Sequence, residues 1–276
     1  MPDYLVWPGL LLLGLAVGAY GTMIGAGGGF ILVPVLLLLY PSAKPELVTS
    51  ISLAVVFANA LSGTVAYVRQ NRVDFVAANA FALATVPGAI AGALVVGLLP
   101  RDLFDAIFGV VLLLAACLIF LRPAARIVAP RDRRGQIVRE HVDRVGDRYV
   151  YSYSLMQGLL LSLLVGFVSS MLGLGGGIIH VPLMVLLLHF PEHVATATSH
   201  YVLTITALVG TIVHIINGDL DGGWQRAGVL AVGVIMGAQV GARLSGRVPG
   251  RLLLQLLAVA LVIVGARLLI SAALDY

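Results

Sequence analysis

Charge is scarce in this chain: Asp, Glu, Lys and Arg make up 11% of its 276 residues, against 60% hydrophobic residues and a mean hydropathy of +1.03. A soluble domain carries roughly 25% charged residues, so that class is excluded and a bilayer is the expected solvent. Cysteine is almost absent. The single Cys117 lies in an apolar run, which rules out an internal disulfide and a thiolate cluster for zinc or iron–sulfur; it reads as a small residue facing lipid or core. The opening MPDYLVWPGLLLLG lacks the basic stretch of a secretory signal peptide, and apolar sequence runs on past any cleavage site, so it reads as a retained first helix. Paired carboxylates, a His cluster and a nucleophile with its base are also missing, so no catalytic residue, metal site or cofactor is expected.

Apolar runs fill the chain, including Leu47 to Val68, Phe75 to Leu99, Leu103 to Leu121, Val194 to Ile216 and Leu252 to Leu274. A spanning helix needs roughly 20 such residues, so the fold class is an all-α polytopic membrane protein. The net charge of +4 comes from arginines placed between these blocks, above all Arg122 to Arg148, where they read as cytoplasmic loop charges and give no reason to expect nucleic acid.

Self-similarity organises the rest. MIGAGGGFILVP (Met23 to Pro34) is echoed by MLGLGGGIIHVP (Met171 to Pro182); Gly63-Thr64 by Gly210-Thr211; Val73-Asp74 by Leu220-Asp221; and PGAIAGAL from Pro87 by MGAQVGAR from Met236. Glycines, a proline and aspartates kept in one order indicate a duplication: a first repeat over 1–122, a charged linker over 123–153 and a second repeat over 154–276. In the linker, QIVREHVD and YVYSYS alternate polar and apolar residues around Val145-Gly146-Asp147, compatible with a small β-hairpin outside the membrane and equally with a disordered basic linker.

Each repeat has a glycine-broken segment (Tyr4 to Tyr40; Leu155 to Phe190) followed by three long spans. Neither flank of a break looks long enough for a full crossing. Each half then crosses three times if the broken segment re-enters, or five times if it spans twice; either count is odd, which predicts inverted repeats. Placing Arg122 to Arg148 inside also puts Arg69, Arg72, Arg243, Arg247 and Arg251 inside, with Lys44, Arg101, Asp219, Asp221 and both termini outside.

Consecutive glycines interrupt a helix, and broken backbone survives at membrane depth only when packed in protein or lining a watery cavity. Gly27, Gly28 and Gly29, facing Gly175, Gly176 and Gly177, are therefore expected to build such a cavity. The short helices starting at Phe30 and Ile178 aim their first amides at it, which suits an anion; close helix packing is the plainer role of clustered glycines. A P-loop is disfavoured, since GAGGGF and GLGGGI lack its Lys-Ser/Thr.

Thr49 and Ser50, with Ser52, and Thr196, Thr198, Ser199 and His200 open the next helix of each half, where hydroxyls cap free amides or donate to a ligand. Asn59 lies mid-span and needs a partner at that depth. His180 and His214 read as packing residues with no carboxylate partner visible, and Asp74 and Asp221 as interfacial helix starts.

Two repeats, each with a GxGGG segment ending in proline (Gly25 to Pro34; Gly173 to Pro182), a Thr-Ser helix start (Thr49-Ser50; Thr198-Ser199), a glycine (Gly63; Gly210) and an aspartate turn (Asp74; Asp221), resemble the sulfite exporter TauE/SafE family over essentially the whole chain. The resemblance implies a bacterial inner-membrane transporter of sulfite, an organosulfonate or a related sulfur-containing or carboxylate anion, often an exporter. Its expected partners are that anion and membrane lipid, and a homo-oligomer is compatible with it. His200, where the first half has Ile51, and the charged insert depart from the pattern. An anion channel and an intramembrane enzyme are the competing classes.

Overall fold

The computed structural model describes residues 3–120, 136–245, 258–259 and 261–270; the basic stretch 121–135, Arg247 and Arg251 lie outside them. The chain runs α1 (Asp3–Met23), α2 (Gly29–Leu39), α3 (Pro45–Arg69), α4 (Phe75–Val95), a 3₁₀ turn (Val96–Leu98), α5 (Arg101–Phe120), β1 (Gln136–Val142), β2 (Arg148–Ser154), α6 (Leu155–Met171), α7 (Gly177–Leu186), α8 (Glu192–Ile216) and α9 (Trp224–Leu244), with a further apolar helix, α10, over Leu261–Ile270. Among the described residues α1, α3, α4 with its 3₁₀ turn, α8 and α9 are long and apolar enough to cross a membrane. Exposed Leu83, Leu160 and Ile216 belong to an apolar outer surface suited to lipid.

One expectation fails at the first break. At 21 residues, α1 extends about 30 Å, so the flank before the first glycines is long enough to span, with Pro8 inside the helix. The segments after the breaks, α2 and α7, have only 11 and 10 residues.

The helices pack crosswise between the two halves of the chain. α1 lies along α9 and α4 along α6, while α3 packs on both α8 and α9, and α8 on α4. Two bundles result, one of α1, α2, α3 and α9 and the other of α6, α7, α8 and α4, so each half lends its fourth helix to the other. Small residues make the lending possible. A Cβ at Gly88 or Gly92 would strike the α6 backbone at Leu163 or Phe167, and one at Gly237 or Gly241 the α1 backbone at Leu15 or Ala19. Backbones that approach this closely gain dispersion contacts that lipid does not supply.

β1 and β2 pair antiparallel from Gln136↔Ser154 to Val142↔Arg148. The Asp143 carboxylate closes their turn by accepting from the amides of Val145, Gly146 and Asp147, and Gly146 supplies the positive φ of 99°. The hairpin is docked, not free. Tyr151 and Tyr153 are buried against Phe190 at the α7–α8 turn, and Tyr153 also meets Phe81 of α4. The buried Asp74 carboxylate accepts from the Tyr151 hydroxyl at 2.6 Å, pairs with Arg139 at 3.2 Å and caps α4 through Val76 and Ala77. Burial and the adjacent Asp74 push the Tyr151 phenol well above its usual range. Asp221 has no such role, because α9 begins after Gly223 without a side-chain cap.

Two outcomes follow from this packing. Gly92→Leu should lower the melting temperature in detergent, since overpacking costs about 1–3 kcal/mol or more, whereas Gly228→Ala, where the added methyl meets open space, should leave it unchanged. At Asp143, burial alone would raise the pKa, but the turn amides and the Arg72 charge outweigh it and lower it. Its contribution to hairpin stability is therefore complete above the ordinary carboxylate pKa of about 3.9 and is lost as pH falls through the lower folded value. The protection factors of the turn amides against hydrogen exchange should fall on acidification through that value, and Asp143→Asn should remove that dependence.

Candidate functional site

The two glycine breaks meet at the centre of the molecule in direct contact. Each turns its chain with left-handed glycines: Gly25, Gly27 and Gly28 at φ of 77°, 75° and 86°, and Gly173, Gly175 and Gly176 at 69°, 75° and 107°. Side chains rarely adopt such angles. A Cβ at Gly29 would strike the carbonyls of Gly173 and Leu174, and one at Gly177 would strike Gly25 and Ala26. Between the breaks there is packed backbone, which corrects the expectation of a cavity walled by both.

Loose main chain here is held by neighbouring helices. Asn59 Nδ2 donates to the Gly27 carbonyl at 2.9 Å while its Oδ1 accepts from Thr22 at 3.0 Å. Ser52 donates to the Gly173 carbonyl at 2.6 Å and so ties the second break to α3 of the first half. Gly63 leaves room for the His200 ring, which stands edge-on to Tyr67 at 5.4 Å and has the Gly25 backbone as a polar neighbour.

Several other expected site residues are engaged by the protein itself. Thr49 bonds back to the carbonyls of Pro45 and Glu46, and Ser50 to those of Leu47 and Asp219. Thr198 accepts from the Asp74 amide at 3.1 Å. Thr49 still touches the second break, lying under Gly173, as Thr196 lies under Gly25. His214 differs from its expectation: Asp219, five residues on, lies 2.7 Å from its Nδ1, a contact made when the chain turns back after α8.

A narrow cleft with no room for even a water molecule lies to one side of the breaks, at the N-terminus of α7. It is lined by Gly175, Gly176, Gly177, His180, Ser199, Thr85 and Thr206 together with Val165, Val202 and Leu203. Its first helical bonds run from Ile179 and His180 to the Gly176 carbonyl, so the preceding amides stand outside the ladder and carry the positive end of the helix dipole. The Ser199 hydroxyl is buried without a hydrogen-bond partner among the described residues, as are Ser169, 3.0 Å from where a Gly176 Cβ would stand, and Ser170 beside Gly210. Thr206 donates to Thr85 at 2.8 Å, and Ser162 pairs with His180 Nε2 at 3.2 Å. No carboxylate lines the cleft, and among the described residues no group of three His, Cys, Asp or Glu could hold a metal.

Of the expected residues, Gly175, Gly176, Gly177 and Ser199 line this cleft. Gly27, Gly28, Gly29 and Asn59 form the opposite break and its clamp. Thr85 and Thr206 were missed and His180 was read as a packing residue: each is a polar residue in an apolar run, and only the crossing of α4 over α6 and α8 brings them together.

Spanning helices packed round two crossed helix breaks give the architecture of a polytopic membrane protein. A family model described as sulfite exporter TauE/SafE matches residues 10–268. The chain belongs to this family of transporters, which are not enzymes. It is 31% identical to the probable membrane transporter protein YunE of Bacillus subtilis over 266 residues, covering 94% of this chain and 96% of the relative. It is also similar to a probable membrane transporter protein of Methanocaldococcus jannaschii, at 24% identity over 84% of this chain and 80% of the relative, and to one of Xylella fastidiosa, at 26% over 82% and 78%. No solved structure matches it.

Asn59→Ala would leave the Gly27 carbonyl and Thr22 hydroxyl unmatched in the core. Unsatisfied buried groups cost about 1–3 kcal/mol each, so thermal unfolding in detergent should shift down by several degrees. An unchanged midpoint would show that the clamp does not hold the break.

Proposed function

We propose that this chain carries a small anion, such as sulfite, an organosulfonate or a related sulfur-containing or carboxylate anion, out of the cell by alternating access. The observation that carries this reading is the α7 N-terminus, where the amides ahead of the first helical bonds and the buried, unpartnered Ser199 hydroxyl adjoin a closed cleft with no acid among its lining residues. Neutral donors and a helix dipole stabilise an anion without burying a permanent positive charge. The narrowness of the cleft fits a closed state between its two openings.

The crosswise packing supports inverted repeats over 1–122 and 154–276, with the bundles rocking about the crossed glycine breaks. In that topology the hairpin and Arg69, Arg72 and Arg243 face the cytoplasm of a bacterial inner membrane, with both termini outside. Efflux of an anion from a negative interior gains about 2.3 kcal/mol per charge per 100 mV, so export needs no coupled ion.

Proteoliposomes loaded with sulfite should show saturable flux that follows the imposed voltage. In Gly176→Ala, the added methyl meets Ser169 Oγ at 3.0 Å and sits at a φ of 107°; flux should fall at least tenfold while folded protein is still recovered. Flux without saturation or counterflow would instead favour a channel. Turnover of a substrate by purified protein without a compartment would favour an enzyme.

A further inference from the structure

We infer that the two bundles are functionally unequal: the substrate anion binds in the bundle of α4, α6, α7 and α8 alone, read by Ser169, Ser199 and His180, while the bundle of α1, α2, α3 and α9 is a ligand-free scaffold. This deepens the transport reading and rests on it.

The repeat allows a position-by-position comparison of the two breaks. The offset of 148 that relates Gly25–Pro34 to Gly173–Pro182 continues upstream through Val17-Gly18 and Val165-Gly166. Packing agrees, since Gly18 abuts Val234 of α9 where Gly166 abuts Thr85 of α4. On that register Ser169 corresponds to Gly21, Ser162 to Gly14 and His180 to Leu32, and the offset of 149 that relates Pro87 to Met236 pairs Thr85 with Val234. Four polar groups around the second break thus face two glycines and two aliphatic side chains around the first.

Positions that are polar in both bundles are used differently. Ser52, the counterpart of Ser199, is spent on the Gly173 carbonyl, whereas Ser199 is buried and has no partner among the described residues. Thr22, the counterpart of Ser170, donates to Asn59, whereas Ser170 has no partner among the described residues. Asn59 itself, matching Thr206, holds the Gly27 carbonyl. Burying a hydroxyl without a partner is unfavourable, and two such serines, Ser169 beside Gly176 and Ser199 in the cleft lining, sit at one helix N-terminus. A small oxyanion there would accept from Ser169, Ser199 and the α7 amides, with Ser162 orienting His180 below.

The test measures sulfite binding to the purified full-length protein by calorimetry, alongside the melting temperature without ligand and sulfite flux in proteoliposomes. Ser169→Ala with Ser199→Ala should weaken sulfite binding about tenfold or more yet leave the ligand-free melting temperature unchanged or raised, because no protein hydrogen bond is lost. His180→Leu, which installs the residue found at Leu32, should weaken binding likewise. Ser52→Ala should do the reverse, lowering stability while folded protein binds sulfite normally. Equal loss of affinity in Ser52→Ala and the serine pair would overturn the one-sided site, as would unchanged binding in the pair, with anion transport left standing. A wild-type protein with neither binding nor flux of sulfite, of a small organosulfonate or of a dicarboxylate would overturn the anion reading itself, and the site with it.

Discussion

Main-chain amides and carbonyls at membrane depth must find partners inside the protein, and in this chain that requirement is concentrated where two glycine breaks cross. Consecutive left-handed glycines release peptide groups from the helical ladder in a region where each unsatisfied group costs several kcal/mol. The protein answers by pressing the two breaks together, Gly29 on the Gly173–Leu174 backbone and Gly177 on Gly25–Ala26. Side chains from the flanking helices then reach in: Asn59 to Gly27 and Ser52 to Gly173. Any residue larger than glycine at the crossing would separate the breaks and expose what they satisfy.

The exchange of helices follows from that crossing. With the two breaks crossed, α4 lies along α6 and α9 along α1, with stripes of glycine allowing backbone contact in both. The same geometry separates structural polarity from available polarity. Thr49, Ser50 and Thr198 are consumed in fixing helix starts and turns, while Ser169, Ser170 and Ser199 are buried with their hydroxyls unspent. A row of aromatic rings links that region to the hairpin of β1 and β2. His180 stands against Phe81, Phe81 against Tyr153 and Phe190, and these against Tyr151, whose hydroxyl is fixed by Asp74. The linker between the repeats is thereby anchored over the bundle that contains the cleft.

Composition alone determined that the chain lives in lipid and is helical, because 60% apolar residues in runs of spanning length have no other stable solvent. The order of glycines, proline and aspartates revealed the duplicated pattern and the family, while the alternation in QIVREHVD and YVYSYS left a hairpin and a disordered linker equally open, and two paired strands lie there. These signals are local, written in residue spacing, and need no knowledge of which helix lies beside which. The glycine clusters likewise announced broken helices, since φ preference belongs to the residue itself.

Tertiary structure decided which polar groups are free. A serine in an apolar run looks the same whether it donates to a carbonyl across the molecule, as Ser52 does, or has nothing to bond, as with Ser199. The length of α1 and the pairing of His214 with Asp219 were also settled by where the chain turned back on itself. Thr85 and Thr206, 121 residues apart, share a hydrogen bond only because α4 crosses into the opposite half. Hydrogen-bond satisfaction is a property of neighbours in space, and in a bundle that exchanges helices those neighbours are far apart in the chain.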